Sequence, residues 1–302
     1  FFFSCGYLLI ISIWSSFFKH FSKRNNRGTF LGISFIGNSM GGFIGGIMVK
    51  QLLASSIPFP SNFGWGFLIL FVALSIGILT YFGFRVKEID LTQKQRTIQD
   101  FIHETKTILT TNRNFRRYIY SRIFLTAQFP AIGLYAVYSR NIFHFDISEA
   151  GLLTAARLVA FGFGSIVAGR IGDKIGHKAA MTFCFTSHVF AIATALSVQS
   201  MGWVYGIFIF LGMAQGAFFP AAMSIVFDFA GEKGDNKMIM ALIDTILSPF
   251  ILMAIIAGGI LSESMGFVIL FRILGALMLA GLFTIIFLVR EPYHETNLSK
   301  NL

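Results

Sequence analysis

Nine stretches of mainly apolar residues divide the chain, at 1–18, 28–49, 63–84, 118–138, 147–169, 179–198, 202–227, 238–261 and 267–289, with short runs rich in Lys, Arg, Gly or Pro between them. An apolar stretch of about 20 residues is the length of α-helix that crosses a bilayer. The pattern therefore predicts an all-α, polytopic membrane protein with nine spans. One polar segment, 85–117, interrupts the rhythm. Within it Thr92 and Gln95 have the spacing of an N-terminal capping box, and Ile98, Phe101, Ile102, Thr105, Ile108 and Leu109 recur at helical spacing. That spacing predicts an amphipathic helix on the membrane face, connecting two groups of spans; a partner-binding helix is the other reading.

Composition narrows the class. Of 302 residues, 55% are apolar and 13% charged, whereas soluble domains carry about a quarter charged residues. A net charge of +10 raises the question of nucleic acid, and the placement of the cations answers it. Nineteen Lys and Arg lie in alternate connections, at 19–27, 85–117, 169–178, 233–237 and after 289, against only Lys50 and Arg140 on the other side. The positive-inside rule then puts the C-terminus in the cytoplasm, the first residue outside, and excludes nucleic acid as the partner. Cys5 and Cys184 both fall within apolar stretches, so neither a disulfide framework nor a metal cluster is expected. No phosphate loop of Gly-x4-Gly-Lys-(Ser/Thr) type occurs. The sequence thus predicts no enzyme and no cofactor, and a proton gradient is the expected source of free energy.

Residues 169–178 read Gly-Arg-Ile-Gly-Asp-Lys-Ile-Gly-His-Lys, a glycine-rich, charged run between two apolar stretches, and are expected to form a tight loop at one membrane face. Gly169, Asp173, Gly176 and Lys178, with Arg170 and Lys174 between them, resemble the Gly-x-x-x-Asp-(Arg/Lys)-x-Gly-(Arg/Lys)-(Arg/Lys) signature of the major facilitator superfamily, in its copy between helices 8 and 9. His177 departs from it. With the long connector after the third span and no initiating Met, the chain resembles helices 4 to 12 of a twelve-helix protein whose first three helices are missing. The resemblance implies two pseudo-symmetric bundles. Residues 1–84 would be the remaining half of the N-terminal bundle, 85–117 the connector, 118–289 the C-terminal six-helix bundle, and 290–302 a cytoplasmic tail. An unrelated nine-helix protein is the competing reading.

The resemblance also implies roles. Asp173 should sit against the N-terminal end of a helix from the opposite bundle, here at Arg27 and Gly28, and close a gate together with Arg170 and Arg27; otherwise it only fixes its loop. Gly28, Gly37, Gly41, Gly45 and Gly46 resemble the fifth-helix signature of drug/proton antiporters, with Gly42 where that signature has Pro; generic small-residue packing explains them equally well. Ionisable groups inside a bilayer are functional candidates, so Asp244 is expected as a proton-coupling site tuned by Arg157 or Arg122, against the alternative of a structural ion pair. Gln128, Tyr135 and Gln215 are expected to line the substrate cavity. The function implied is alternating-access transport in the plasma membrane by a monomer, with a small-molecule substrate and lipid as partners. Proton-coupled efflux is the first expectation. Proton-coupled uptake of a sugar or organic acid, with Arg157 binding the anion, is the second, and a non-transporting sensor or scaffold the third.

Overall fold

The computed structural model describes residues 26–53, 55–58, 60–83, 97–145, 147–231 and 236–292. The apolar stretch 1–18, the pair Thr92 and Gln95, and the tail beyond 292 lie outside the described residues. Among the described residues there are ten α-helices and no strand: α1 (Arg27–Leu53), α2 (Ser61–Tyr81), α3 (Ile98–Thr111), α4 (Arg113–Leu125), α5 (Gln128–Phe143), α6 (Ile147–Ile175), α7 (His177–Leu196), α8 (Met201–Ala230), α9 (Asn236–Ser264) and α10 (Phe267–Phe283), the last followed by one π turn, Thr284–Leu288. Seven of these are long and apolar enough to cross a membrane.

Three connections depart from the sequence reading. The capping box of α3 is formed by Thr97 and Asp100, each side chain bonded to the other's backbone N–H. Phe101, Ile108 and Leu109 of α3 pack on the bundle while Ile98 and Ile102 stay exposed. Residues 118–138 are two helices, because α4 stops at Leu125 and α5 starts at Gln128. Pro130 supplies the reason: it has no N–H for the carbonyl of Thr126, and its ring crowds that carbonyl. The chain turns tightly there instead, with Thr126 N–H donating to Ile123 O and Ala127 N–H to Phe124 O.

Residues 169–178, expected as a loop, are mostly helix. α6 runs to Ile175, α7 starts at His177, and the connection is Gly176 alone. Its φ of +125° is a conformation open to glycine. A helix can carry charged final turns beyond the apolar slab, and the helix-weakening glycines of α6 are offset by the close packing they permit.

The most deeply buried helix, α8, touches α1, α5, α6, α7 and α9. A single core draws residues from α4 to α10. α1 lies along α6 and joins α8 through a small cluster of Leu31, Met223 and Phe227. α2 packs on α1 and exposes Phe67, Phe71 and Leu79, as a lipid-facing helix does.

Candidate functional site

At their charged ends α1 and α6 meet backbone to backbone. A β-carbon on Gly28 would strike Gly169 O, and one on Gly169 would strike Gly28 O. One turn beyond Gly169, Asp173 reaches across to the first turn of α1. Its Oδ1 accepts from Gly28 N at 2.8 Å and its Oδ2 from Thr29 N at 2.7 Å. Those amides have no partner inside their own helix, and they sit at the positive end of its dipole. Bonds to a charged acceptor contribute about 1.5–3 kcal/mol each. Ser165 Oγ of α6 adds a bond to Gly32 O at 3.0 Å, and the Arg27 guanidinium lies 4.5 Å from the centre of the Phe227 ring on α8. Arg170 and Lys174 point outward and join no hydrogen bond or ion pair among the described residues. The contact is thus made by Asp173 with the backbone of α1, and Arg170 is not brought into it.

A second carboxylate caps the next helix. Glu291, just past the π turn, accepts from His177 N at 3.1 Å and Lys178 N at 3.0 Å, the first amides of α7. Lys178 Nζ donates to Ile286 O at 2.8 Å. The same tail is held on its other side by Asn114 of α4, whose amide donates to Arg290 O and accepts from Arg290 N. Between the two caps, buried His177 approaches Asp228 of α8, Nε2 to Oδ2 at 3.7 Å.

The interior candidates separate into two kinds. Gln128 is buried and bonded to His188 at 3.1 Å, and Tyr135 is fully buried and stacked on Phe271 at 5.1 Å. Both lie in the core between α5 and its neighbours, away from any accessible surface. Tyr138, similarly buried, donates to Ala195 O. Gln215 and Arg157 are half-buried with no side-chain hydrogen bond among the described residues. Arg122 is 9% exposed, donates from Nη1 to the Tyr118 hydroxyl at 2.9 Å, and lies 4.8 Å from the centre of the Phe218 ring. Asp244 stands on the exposed face of α9 beside Thr245 and Ser248 and forms no ion pair among the described residues.

The sequence profile of the Major Facilitator Superfamily matches residues 118–302. The chain belongs to the major facilitator superfamily. It is a multi-pass membrane protein and a secondary transporter of the major facilitator kind, not an enzyme. No curated protein matches it. The matched residues take in the later part of α4 and all of α5 to α10, so within this transporter the bond from Asp173 to α1 leaves the matched region.

The glycines of α1 divide by what they meet. The side packed on the neighbouring helices carries Gly28, Leu31, Gly32, Phe35, Ser39 and Gly42, which meet α6 or α8. At Gly37, Gly41, Gly45 and Gly46 a β-carbon would meet nothing within 4 Å among the described residues. At about 100° per residue, Gly37 is half a turn round from Gly28. The antiporter-like spacing therefore does not describe one packing face. Sequence reasoning does not single out Gly32, Ser165 or Glu291. For Glu291 a signal exists: a carboxylate in Arg-Glu-Pro directly after the last apolar stretch.

Proposed function

We propose that the chain moves a small, fairly apolar compound outward in exchange for protons, with the gradient as its energy source. The observation that carries the coupling is Asp244, a carboxylate about two turns inside a spanning helix that forms no ion pair among the described residues and so is open to a proton. The gate is the contact of Asp173 with Gly28 and Thr29. It holds one side shut, and its release lets the group 1–84 tilt against the group 118–289 about the connector 85–117. In this reading the gate and the tail 290–302 face the cytoplasm, the membrane is the plasma membrane, and a monomer suffices. Energised everted vesicles containing the chain should accumulate an apolar fluorescent dye, and an uncoupler should abolish it. Dye distribution identical to vesicles without the protein refutes the reading.

A second reading is uptake of an organic acid together with a proton. Arg122 favours it, because only one of its N–H groups has a partner among the described residues. Here Arg122 takes the role that the sequence suggested for Arg157. Acid-stimulated uptake of a labelled organic acid into right-side-out vesicles separates the two by direction.

A further inference from the structure

A guanidinium carries five N–H groups in a planar fork, and Arg122 uses one of them, for the Tyr118 hydroxyl. Nε and Nη2 are not sealed from solvent, since neither belongs to the buried polar atoms without a partner. Two ring faces flank the fork, Phe218 at 4.8 Å and Tyr118 at 5.8 Å from the guanidinium carbon to the ring centres. Nine-tenths of the side chain is buried, and a buried cation needs a counter-charge to offset lost hydration. Asp244, on the adjacent α9, comes close enough for their charges to interact but not to pair among the described residues. The fork is thus held by aromatic walls, with its donors unspent and a carboxylate standing off from it.

We propose that Arg122 is the recognition point for the anionic group of the transported solute, and that the solute is an organic monocarboxylate with a flat apolar body. The fork matches a carboxylate's two oxygens, and the half-buried Phe218 ring beside it offers an apolar wall to a planar body, while fully buried Tyr118 holds the fork in place. Inorganic anions would satisfy the charge and leave those walls unused. An ionised Asp244 repels such a solute, and a protonated one does not, so proton and anion bind together. The ionisable groups that face Asp244 are Arg122 and Tyr118, both of α4. This inference rests on the second reading above; the first stands without it.

The test is thermal unfolding of the purified full chain with propionate, benzoate, phenylacetate, their three uncharged amides, chloride and phosphate. We expect the aromatic carboxylates to raise the midpoint at lower concentration than propionate, and the amides and inorganic anions to have no such effect. Arg122→Gln should weaken benzoate binding at least tenfold, Arg122→Lys should keep part of it, and Phe218→Leu should narrow the preference for benzoate over propionate. Amides as effective as acids, phosphate or chloride as effective as benzoate, or a folded Arg122→Gln protein with unchanged response would overturn it. If that variant does not fold, an unchanged response in both Arg122→Lys and Phe218→Leu does so. Benzoate binding lost in Arg122→Gln but without uptake into proteoliposomes sinks the second reading, and with it the claim that the carboxylate is transported, leaving Arg122 as an anion site; uptake of a labelled organic acid that Arg122→Gln leaves unchanged sinks the inference alone.

Discussion

Replacing Asp173 by Asn tests the gate with the least disturbance of shape. The carboxylate accepts two bonds, one on each oxygen, from consecutive amides of α1. Asn keeps one acceptor and turns an NH2 group toward the other amide, so one charge-assisted bond, worth about 1.5–3 kcal/mol, is lost. The negative charge at the helix N-terminus, worth about 0.3–1 kcal/mol, is lost with it. The sum, roughly 2–4 kcal/mol, is a change of about 30- to 700-fold in the closed-to-open ratio at 1.4 kcal/mol per factor of ten. Spin labels on cysteines replacing exposed Phe30 and Lys174, in a background without the two native cysteines, report that ratio by pulsed EPR. The wild type should show mainly the short distance; Asp173→Asn should add a longer population and slow transport. An unchanged distance distribution with unchanged transport would refute the gate and leave Asp173 as a residue that only shapes the end of α6.

Gly169→Ala should force α1 and α6 apart, since its β-carbon meets Gly28 O and the first residues of α1; a short spin-label distance kept in this variant would contradict the close crossing. Glu291→Gln should lower thermal stability by about 1–3 kcal/mol through the weakened cap on α7, read from chemical unfolding, and an unaltered midpoint would show that the cap contributes nothing. Asp244→Asn should abolish proton-driven accumulation while preserving exchange of labelled for unlabelled solute. Accumulation at the wild-type level would remove Asp244 from the coupling.

The spans are legible because hydrophobic length is a one-dimensional property, and the seven membrane-length helices fall on stretches visible in the sequence. Their interruptions are not. Pro130 is plain to see, but the break lies where Thr126 and Ala127 can turn and still bond to Ile123 and Phe124. Charge and glycine at 169–178 suggest a loop because polarity marks the membrane boundary, whereas the helix ends only at the residue with positive φ. Facing is the hardest to read. A polar residue bonded inside the core, such as Gln128 to His188, has the same sequence environment as one offered to a cavity. The meeting of Asp173 with Gly28 spans 145 residues and is approached through family likeness, since no local spacing encodes it.

Two carboxylates of the same chemistry flank one turn, yet alternating access needs one cap to open in each cycle and the other to hold. Their surroundings set the difference. Glu291 belongs to a tail clamped by both bonds of Asn114 and by Arg117 Nη1 on Leu288 O, and the helix it caps shares the core of α4 to α10. The partner of Asp173 is α1, which lies outside that core and is held along α6 and α8 by that contact, the Ser165 bond, the Phe35 ring against Phe161 and Phe219, and the small cluster of Leu31, Met223 and Phe227. Local opening follows the contacts that must be lost together, so the cap on α1 should yield first. Hydrogen exchange in lipid nanodiscs reads both caps at once: the amides of Gly28 and Thr29 should exchange faster than those of His177 and Lys178, and Asp173→Asn should accelerate only the first pair. Equal protection at both pairs, or acceleration of both by that substitution, would mean that the two caps open as one unit and that the gate does not lie between α1 and α6.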